Sequence, residues 1–430
     1  MGEELDTEIR LPRFFAVDFF CGAGGTTCGL IQAEGYVVAG IDKNPECRET
    51  YVRNNRNRTL DCAAPLYLDR DVLPRTQDYP DGQHDCLLDD LAELVGSRKR
   101  DYPDIPWLFA VCAPCQPFTR LSRGRLSAKR QERRRREAQL LRWVLPIIER
   151  FRPELLFCEN VPGIMRVGGP DGIWTTFEEQ LRELGYVVGS KVVCASRFGV
   201  PQFRKRSILL GVAQERVREE RFADLSGSAL LVPESDPDAP LITVREAIGH
   251  LPPLQAGEAH PEIPNHRARA LSDLNKRRLM VLRPGEPNSR LENTRFGDLS
   301  LPCHRKVNER LKDRCFNDVY TRMRPDRPAP TITTRCHSIS NGRFGHYDPR
   351  QVRGITPREA ALLQSFPEDY VFYPEHMFEP AARMIGNAVP PKLAAFFAEY
   401  LVKSLKTERP SAAEERIRCR STARRPLIFC

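Results

Sequence analysis

Short apolar runs separated by glycine- and proline-marked breaks fill the first half of the chain. Phe14-Phe15-Ala16-Val17-Asp18-Phe19-Phe20 has the apolar, aromatic character of a buried strand, and Cys21-Gly22-Ala23-Gly24-Gly25 follows as a tight turn. Thr26 to Glu34 predicts a helix that stops near Gly35, and Tyr36 to Ile41 a second strand ending at Asp42. Asn44 to Asn54 reads as helix and Trp107 to Val111 as strand. Arg133 to Arg150 reads as a basic helical segment whose later half carries Leu140, Leu141, Val144, Ile147 and Ile148 at helical spacing. Pro146 within it predicts a kink or a break. Leu155 to Cys158 predicts a strand running into Glu159-Asn160-Val161, and Trp174 to Leu184 an amphipathic helix closed by Gly185. Tyr186 to Ala195 and Ser207 to Val212 predict two more strands, antiparallel to each other.

Strand, glycine loop, helix, strand and terminal acid in that order open a doubly wound α/β sheet. The expected fold class is therefore α/β, with one such domain from about Phe14 to about Ala213. From about Gln214 to Pro330 proline clusters, scattered Arg and His, and short apolar runs predict a loop-rich second region. Ile355 to Pro367 predicts a helix opened by Thr356-Pro357, with proline at the first helical position. Gly386 predicts a turn ahead of an apolar helix, Leu393 to Leu405, and Glu408 to Cys430 is a polar, Arg-rich tail.

Composition narrows the class. A chain of 430 residues with 41% hydrophobic residues can bury a sizeable core, and as a prior holds two or three domains. The net charge of +9 is clustered, which points to an anionic partner such as nucleic acid. The charged first residues carry no apolar signal segment, and no run reaches membrane-span length. The 14 cysteines are irregularly spaced, so reduced thiols in a cytosolic or nuclear compartment are expected.

Four stretches carry candidate chemistry. The glycine loop can bring backbone close to a ligand at a helix N-terminus, and Asp42 stands where an acid accepts from ribose hydroxyls. A plain tight turn is the alternative, and a nicotinamide loop a further competitor, though the spacing departs from G-x-G-x-x-G. Cys112-Ala113-Pro114-Cys115 follows a strand end and turns sharply at Pro114. Cys115 could be a nucleophile or a buried thiol, and its C-x-x-C spacing also suits redox chemistry or half a metal site. Glu159 ends a strand beside apolar Phe157, where a carboxylate can share a proton with a substrate, or can simply be solvated. In Gln202-Phe203-Arg204-Lys205-Arg206 alternation puts Gln202, Arg204 and Arg206 on one face, suited to phosphate or carbonyl contacts; a solvated edge strand is the plainer alternative.

Taken together and in order, these stretches change the reading. Phe14 to Gly29, Pro114-Cys115-Gln116, Glu159-Asn160-Val161, Gln202-x-Arg204-x-Arg206, Arg358-Glu359 with Gln364-Ser365-Phe366-Pro367, and Gly386-Asn387-Ala388-Val389-Pro390 resemble the cytosine-5 DNA methyltransferase family from about Phe14 to Leu405. The resemblance implies a Rossmann-like, mostly parallel sheet of the class I methyltransferase kind, with a loop-rich target-recognition domain. It implies a discontinuous catalytic domain, 14–213 with 380–406, a target-recognition domain at 214–379, an extension at 1–13 and a basic tail at 407–430. It implies transfer of a methyl group from S-adenosylmethionine to carbon 5 of a cytosine flipped out of duplex DNA, at an unstacking cost of roughly a few kcal/mol. Cys115 would add to carbon 6, Glu159 would bond the ring nitrogen and amine, Arg206 the carbonyl oxygen, and Arg204 would support Cys115 or the DNA backbone.

For the cofactor, the resemblance implies Phe20 on the adenine, the Gly22, Gly24 and Gly25 loop along the methionine moiety beside Asp18, Asp71 on the adenine amine, and Asn387 closing the pocket. Gly40 stands where many members carry Glu, which leaves Asp42 for the ribose. The basic segment Thr119 to Arg136 is expected to close over the site and grip phosphates. The implied partner is double-stranded DNA, with a restriction endonuclease acting on the same site as a further expectation, no metal and a monomeric enzyme. The implied location is cytoplasmic in a prokaryote and nuclear in a eukaryote. Rival readings are a tRNA cytosine methyltransferase, faintly suggested by Cys315-Phe316, and an inactive DNA-binding homologue.

Overall fold

The computed structural model describes residues 10–114, 137, 139–166, 169–217, 232–233, 238–302 and 317–405. Seven strands form one sheet: β1 (Phe15–Phe19), β2 (Tyr36–Ile41), β3 (Leu66–Leu68), β4 (Trp107–Val111), β5 (Leu155–Asn160), β6 (Tyr186–Cys194) and β8 (Lys205–Ala213). Their spatial order is β3-β2-β1-β4-β5-β8-β6. The first five are parallel; β8 runs antiparallel to both β5 and β6. Chain order reverses between β1 and β4, which opens a crevice at the carboxyl ends of the strands.

Helices cover both faces, which explains why β1, β2, β4 and β5 are buried along their whole length rather than on alternate residues. On one side Phe15, Val17 and Phe19 pack with α3 (His84–Asp101), α4 (Leu140–Phe151) and α5 (Ile173–Glu183). On the other, Phe14 and Ala16 meet α1 (Gly25–Gln32) and α10 (Pro391–Lys403) through Leu30, Leu393 and Phe397. The last helix thus returns to the first strand, as its apolar face requires. A Cβ on Gly29 would sit 2.3 Å from the Pro391 carbonyl oxygen, so α1 and α10 approach at backbone distance.

The apolar positions expected on α4 are all buried, and the helix runs unbroken from Leu140 through Pro146; Arg133 to Arg136 lie outside the described residues. Pro146 faces solvent, where water can satisfy the carbonyl that loses its donor. The helix α3 and the short β3 were not expected from the sequence. α3 buries only Leu87, Leu91 and Val95 beside His84, a narrow stripe in a charged segment, yet their four-residue spacing is a readable signal. The Gly386 turn is instead the last turn of a helix, α9 (Phe378–Asn387).

The loop-rich region contributes α6 (Val244–Ile248), α7 (Asp273–Val281) and α8 (Pro357–Leu363), the last opened by a Thr356–Glu359 capping box. A two-residue strand β9 (Ala329–Pro330) pairs with β7 (Gln202–Phe203). Val244, Ile332, Leu363, Phe366, Tyr370, Phe372 and Ile385 share a core with Ala23, Cys28 and Cys47 of the first body. Tyr370 donates its hydroxyl to the Ala23 carbonyl inside the glycine turn, and Asn55 donates to that hydroxyl at 3.0 Å. The second region is therefore built directly against the glycine loop. Among the described residues no helix is long and apolar enough to cross a membrane.

Candidate active site

A cavity of about 470 Å³ opens at the crevice between β1 and β4. Its walls come from the glycine loop, the end of β2, the segment after β3, the residues after β4, the ends of β5 and β8, and the end of α9.

The glycine loop divides its labour. Phe20, Gly22 and Gly24 have φ of 61°, 51° and 90°, in the left-handed region. For the aromatic Phe20 that conformation costs about 1–2 kcal/mol, the kind of strain that persists where surrounding structure enforces it. A Cβ on Gly22 would meet nothing within 4 Å, so this glycine serves the turn and leaves the cavity wall open. Gly24 and Gly25 answer to packing: a Cβ would sit 2.3 Å from Asn55 Nδ2 at the first and 2.5 Å from the Val389 carbonyl oxygen at the second. The sequence reading gave these glycines to a ligand; Gly22 and Gly25 border the cavity, whereas Gly24 does not and serves packing alone.

Asp18 needs the same correction. It does not line the cavity but is fully buried on the α1 side of the sheet. Its Oδ2 accepts from the Thr27 amide at 3.0 Å and the Thr27 hydroxyl at 2.7 Å, so it braces the start of α1. Burial pushes its pKa up to about 7 against the pull of the Thr27 bonds.

Asp42 and Asp71 do line the cavity. Asp42 ties the loop to β2: its Oδ2 accepts from the Gly22 amide at 2.9 Å and its Oδ1 from the Asn44 amide at 2.8 Å. Burial raises its pKa above the ordinary carboxylate range. A side chain at position 40 would lie 2.3 Å from the Tyr51 hydroxyl oxygen, so Tyr51 fills the space a larger residue would need. Asp71 is buried, accepts from the Leu73 amide at 3.2 Å and pairs with Lys43 Nζ at 3.1 Å. Asn387, exposed at the end of α9, borders the same cavity.

At the other wall Glu159 and Arg206 face one another. Arg206 Nε stands 2.7 Å from Glu159 Oε1, and both side chains are about one-tenth exposed. The contact is an ion pair without hydrogen-bond alignment, because Glu159 Oε1 has no aligned donor. Alternation from Gln202 to Arg206 is as expected, but the face is buried rather than solvated: Gln202 is 0% exposed, Arg204 2% and Arg206 8%. Arg204 borders the cavity but is almost wholly buried. It donates to the carbonyls of Ile332 at 3.0 Å, Gly386 at 3.0 Å and Ala388 at 3.2 Å. Gln202 donates to the Leu363 carbonyl at 3.1 Å and accepts from the Ile332 amide at 2.8 Å. One motif thus holds the second region and the end of α9 against the sheet.

Cys112, Ala113 and Pro114 line the cavity directly after β4. Asn160 donates to the Ala113 carbonyl at 3.1 Å and so fixes this exit from the sheet. Burial, then the Glu159 and Asp18 charges, push the Cys112 thiol well up, which removes it as a ready thiolate. Cys115, the Thr119 to Arg136 segment and Cys315-Phe316 lie outside the described residues. Among the described residues no group of three or more His, Cys, Asp or Glu is arranged to hold a metal ion.

Lys43, Glu46 and Arg383 also line the cavity and were not anticipated. Lys43 and Glu46 were within reach, flanking Asp42 and opening a helix. Arg383 comes from α9 and had no local signal.

Residues 90–403 match the sequence model of the C-5 cytosine-specific DNA methylase family. The Type II methylase M.HgiDII of Herpetosiphon aurantiacus is 33% identical over 91% of this chain and 95% of its own length. The Type II methyltransferase M1.HphI of Haemophilus parahaemolyticus is 28% identical over 90% of this chain and 86% of its own. Among solved structures, a putative DNA modification methyltransferase encoded within an E. coli prophage superposes with a TM-score of 0.60 at 20% identity, covering 91% of this chain and 99% of that one.

Proposed function

The chain belongs to the C-5 cytosine-specific DNA methylase family and is a DNA cytosine-5 methyltransferase; from that premise we propose how its residues divide the reaction. The donor is S-adenosylmethionine, held in the 470 Å³ cavity. The fit rests on the residues there: a strained aromatic at Phe20, an open wall at Gly22, and two acids, Asp42 and Asp71, at the ends of neighbouring strands. Phe20 would face the adenine, Asp42 the ribose, Asp71 the adenine amine, and Asn387 the open side. When bound, the donor supplies an electrophilic methyl group.

Carbon 5 of cytosine is a poor nucleophile. A thiolate from Cys115 would bond carbon 6 and push electron density to carbon 5, making that carbon nucleophilic enough to take the methyl group from the donor's sulfur, which would leave as a thioether. Glu159 would hold the ring nitrogen and the exocyclic amine, and Arg206 the carbonyl oxygen. Between them these two offset the charge that builds on the ring. Loss of the carbon 5 proton and breakage of the carbon 6–sulfur bond would return Cys115. Arg204 and Asn160 would act through their neighbours. They position Arg206 and the segment leading to Cys115.

One observation carries this reading: the Glu159–Arg206 pair and Ala113-Pro114 border the same cavity as the glycine loop, Asp42 and Asp71. Duplex DNA containing 5-fluorocytosine tests it, since a fluorine at carbon 5 blocks release of the thiol. A covalent adduct is expected with wild type and none with Cys115→Ala; an adduct that survives the substitution sinks the mechanism. The names of the relatives suggest that the enzyme works within a Type II restriction-modification system, protecting a site that a partner endonuclease cuts. Resistance of DNA modified by the purified enzyme to an endonuclease encoded beside it would test that.

A further inference from the structure

A second cleft, of about 560 Å³, lies beside the first and is lined by the 334–341 segment and α9. Arg269, Arg335 and Arg383 line it, together with Thr334, Asn341 and a single carboxylate, Glu379. Glu379 lies 3.6 Å from both Arg269 Nη1 and His337 Nε2, so among the described residues three guanidinium groups face one acid and the cleft is cationic. Fixed guanidinium, hydroxyl and amide donors at one concave surface suit a phosphodiester.

Arg383 lines both cavities. Its Nη2 lies 2.7 Å from Glu46 Oε2, and Glu46 borders the donor cavity from the start of α2 (Pro45–Asn54). The two side chains are 44% and 54% exposed, so the pair is a weak one that can exchange partners. The clefts also share a wall. A Cβ on Gly386 would lie 2.4 Å from the Thr333 carbonyl carbon and the Thr334 nitrogen, so the residue before Asn387 rests directly on the second cleft's backbone.

Building on the functional reading above, we propose that the second cleft binds a DNA phosphate and that Arg383 couples it to the donor cavity. With DNA absent, Arg383 neutralises Glu46. A phosphate in the cleft draws Arg383 away and leaves the Glu46 carboxylate facing the donor cavity. A cationic sulfonium donor then gains an attractive charge and loses a repulsive one. DNA therefore tightens donor binding, and by reciprocity the donor tightens DNA binding by the same factor.

Two measurements on the full-length enzyme test this. Binding of a random-sequence duplex is followed against salt for wild type, Arg335→Ala and Arg335→Lys. Arg335→Ala is expected to lower the salt slope by about 0.9, or roughly 3.5-fold less loss of affinity between 50 and 200 mM salt, and Arg335→Lys to restore it. Binding of S-adenosylmethionine and of S-adenosylhomocysteine is then measured with and without that duplex. DNA is expected to tighten the sulfonium donor about fivefold or more, the thioether product less, and Glu46→Gln to abolish the difference while leaving the salt slope intact. An unchanged slope in Arg335→Ala, or a loss confined to one preferred sequence, overturns the phosphate assignment. Undiminished coupling in Glu46→Gln overturns the switch. Failure of the wild-type enzyme to bind any duplex would instead sink the functional reading beneath it.

Discussion

Arg206 Nε stands 2.7 Å from Glu159 Oε1 across two neighbouring antiparallel strands, and neither side chain is more than one-tenth exposed. A buried carboxylate and a buried guanidinium each need the other, because either alone would be an uncompensated charge in a low-dielectric wall. The pair is also incompletely satisfied, since Glu159 Oε1 has no aligned hydrogen-bond donor.

Glu159→Gln keeps the shape and removes the charge. Methyl transfer to duplex DNA is expected to fall about 10²–10³-fold, the usual cost of one electrostatic contact made to a developing charge. Donor binding by equilibrium titration should stay near wild type. A variant with wild-type turnover would show that Glu159 does not touch the base.

Asp18 predicts a pH dependence of stability. Its folded pKa of about 7 lies above the ordinary value of 3.8. The folded state therefore binds the extra proton, and stability falls as pH rises between those two values and is level above the higher one. Asp18→Asn keeps an oxygen for both Thr27 donors and removes the buried charge. Its melting temperature should exceed that of wild type at pH 8 and approach it near pH 5. Parallel curves for the two proteins would refute the assignment.

Glu359 predicts the opposite slope at low pH. Burial alone would raise its pKa, but the bidentate Arg353 at 2.7 and 2.8 Å, with His346 and the Thr356 amide, holds it down to about 2. The stability it provides is present above the ordinary value of 4.5 and is lost as pH falls through about 2. Glu359→Ala strands a buried Arg353 and should cost about 3–5 kcal/mol in denaturant unfolding. A loss under about 1 kcal/mol would mean that Arg353 finds other partners.

The glycine loop separates backbone need from packing need. Gly22→Ala meets open space and should cost only about 1–2 kcal/mol, from its left-handed backbone. Gly25→Ala drives a methyl group to 2.5 Å from the Val389 carbonyl oxygen and should displace α10 from α1, with the larger fall in melting temperature. Equal effects at both positions would contradict this division.

Much of the first body was legible because each signal was local. Glycine turn, apolar run and terminal acid follow one another within a few residues, and the buried positions of α4 announce themselves by spacing alone. The motif residues were legible as types in a fixed order, and most of them do gather at one cavity. Their division of labour was not. Asp18 looked like a cofactor ligand because it sits beside the glycine loop in sequence, but strand alternation turns it to the α1 face. Arg204 was read as supporting Cys115 or the DNA backbone, and its guanidinium donates to the carbonyls of Ile332, Gly386 and Ala388, partners that lie far along the chain.

The sequence by itself determined most of the sheet's strands and the order of the motifs that meet at its crevice, since periodicity, turn residues and motif order are properties of neighbouring positions. Only the tertiary structure decided which polar groups reach the cavity and which are consumed in holding it together. That choice depends on carbonyls and amides supplied from far along the chain. Tyr370 on the glycine turn, Gly386 beneath Arg204 and Arg383 beside Glu46 each close such a contact, and none leaves a trace in the residues around it.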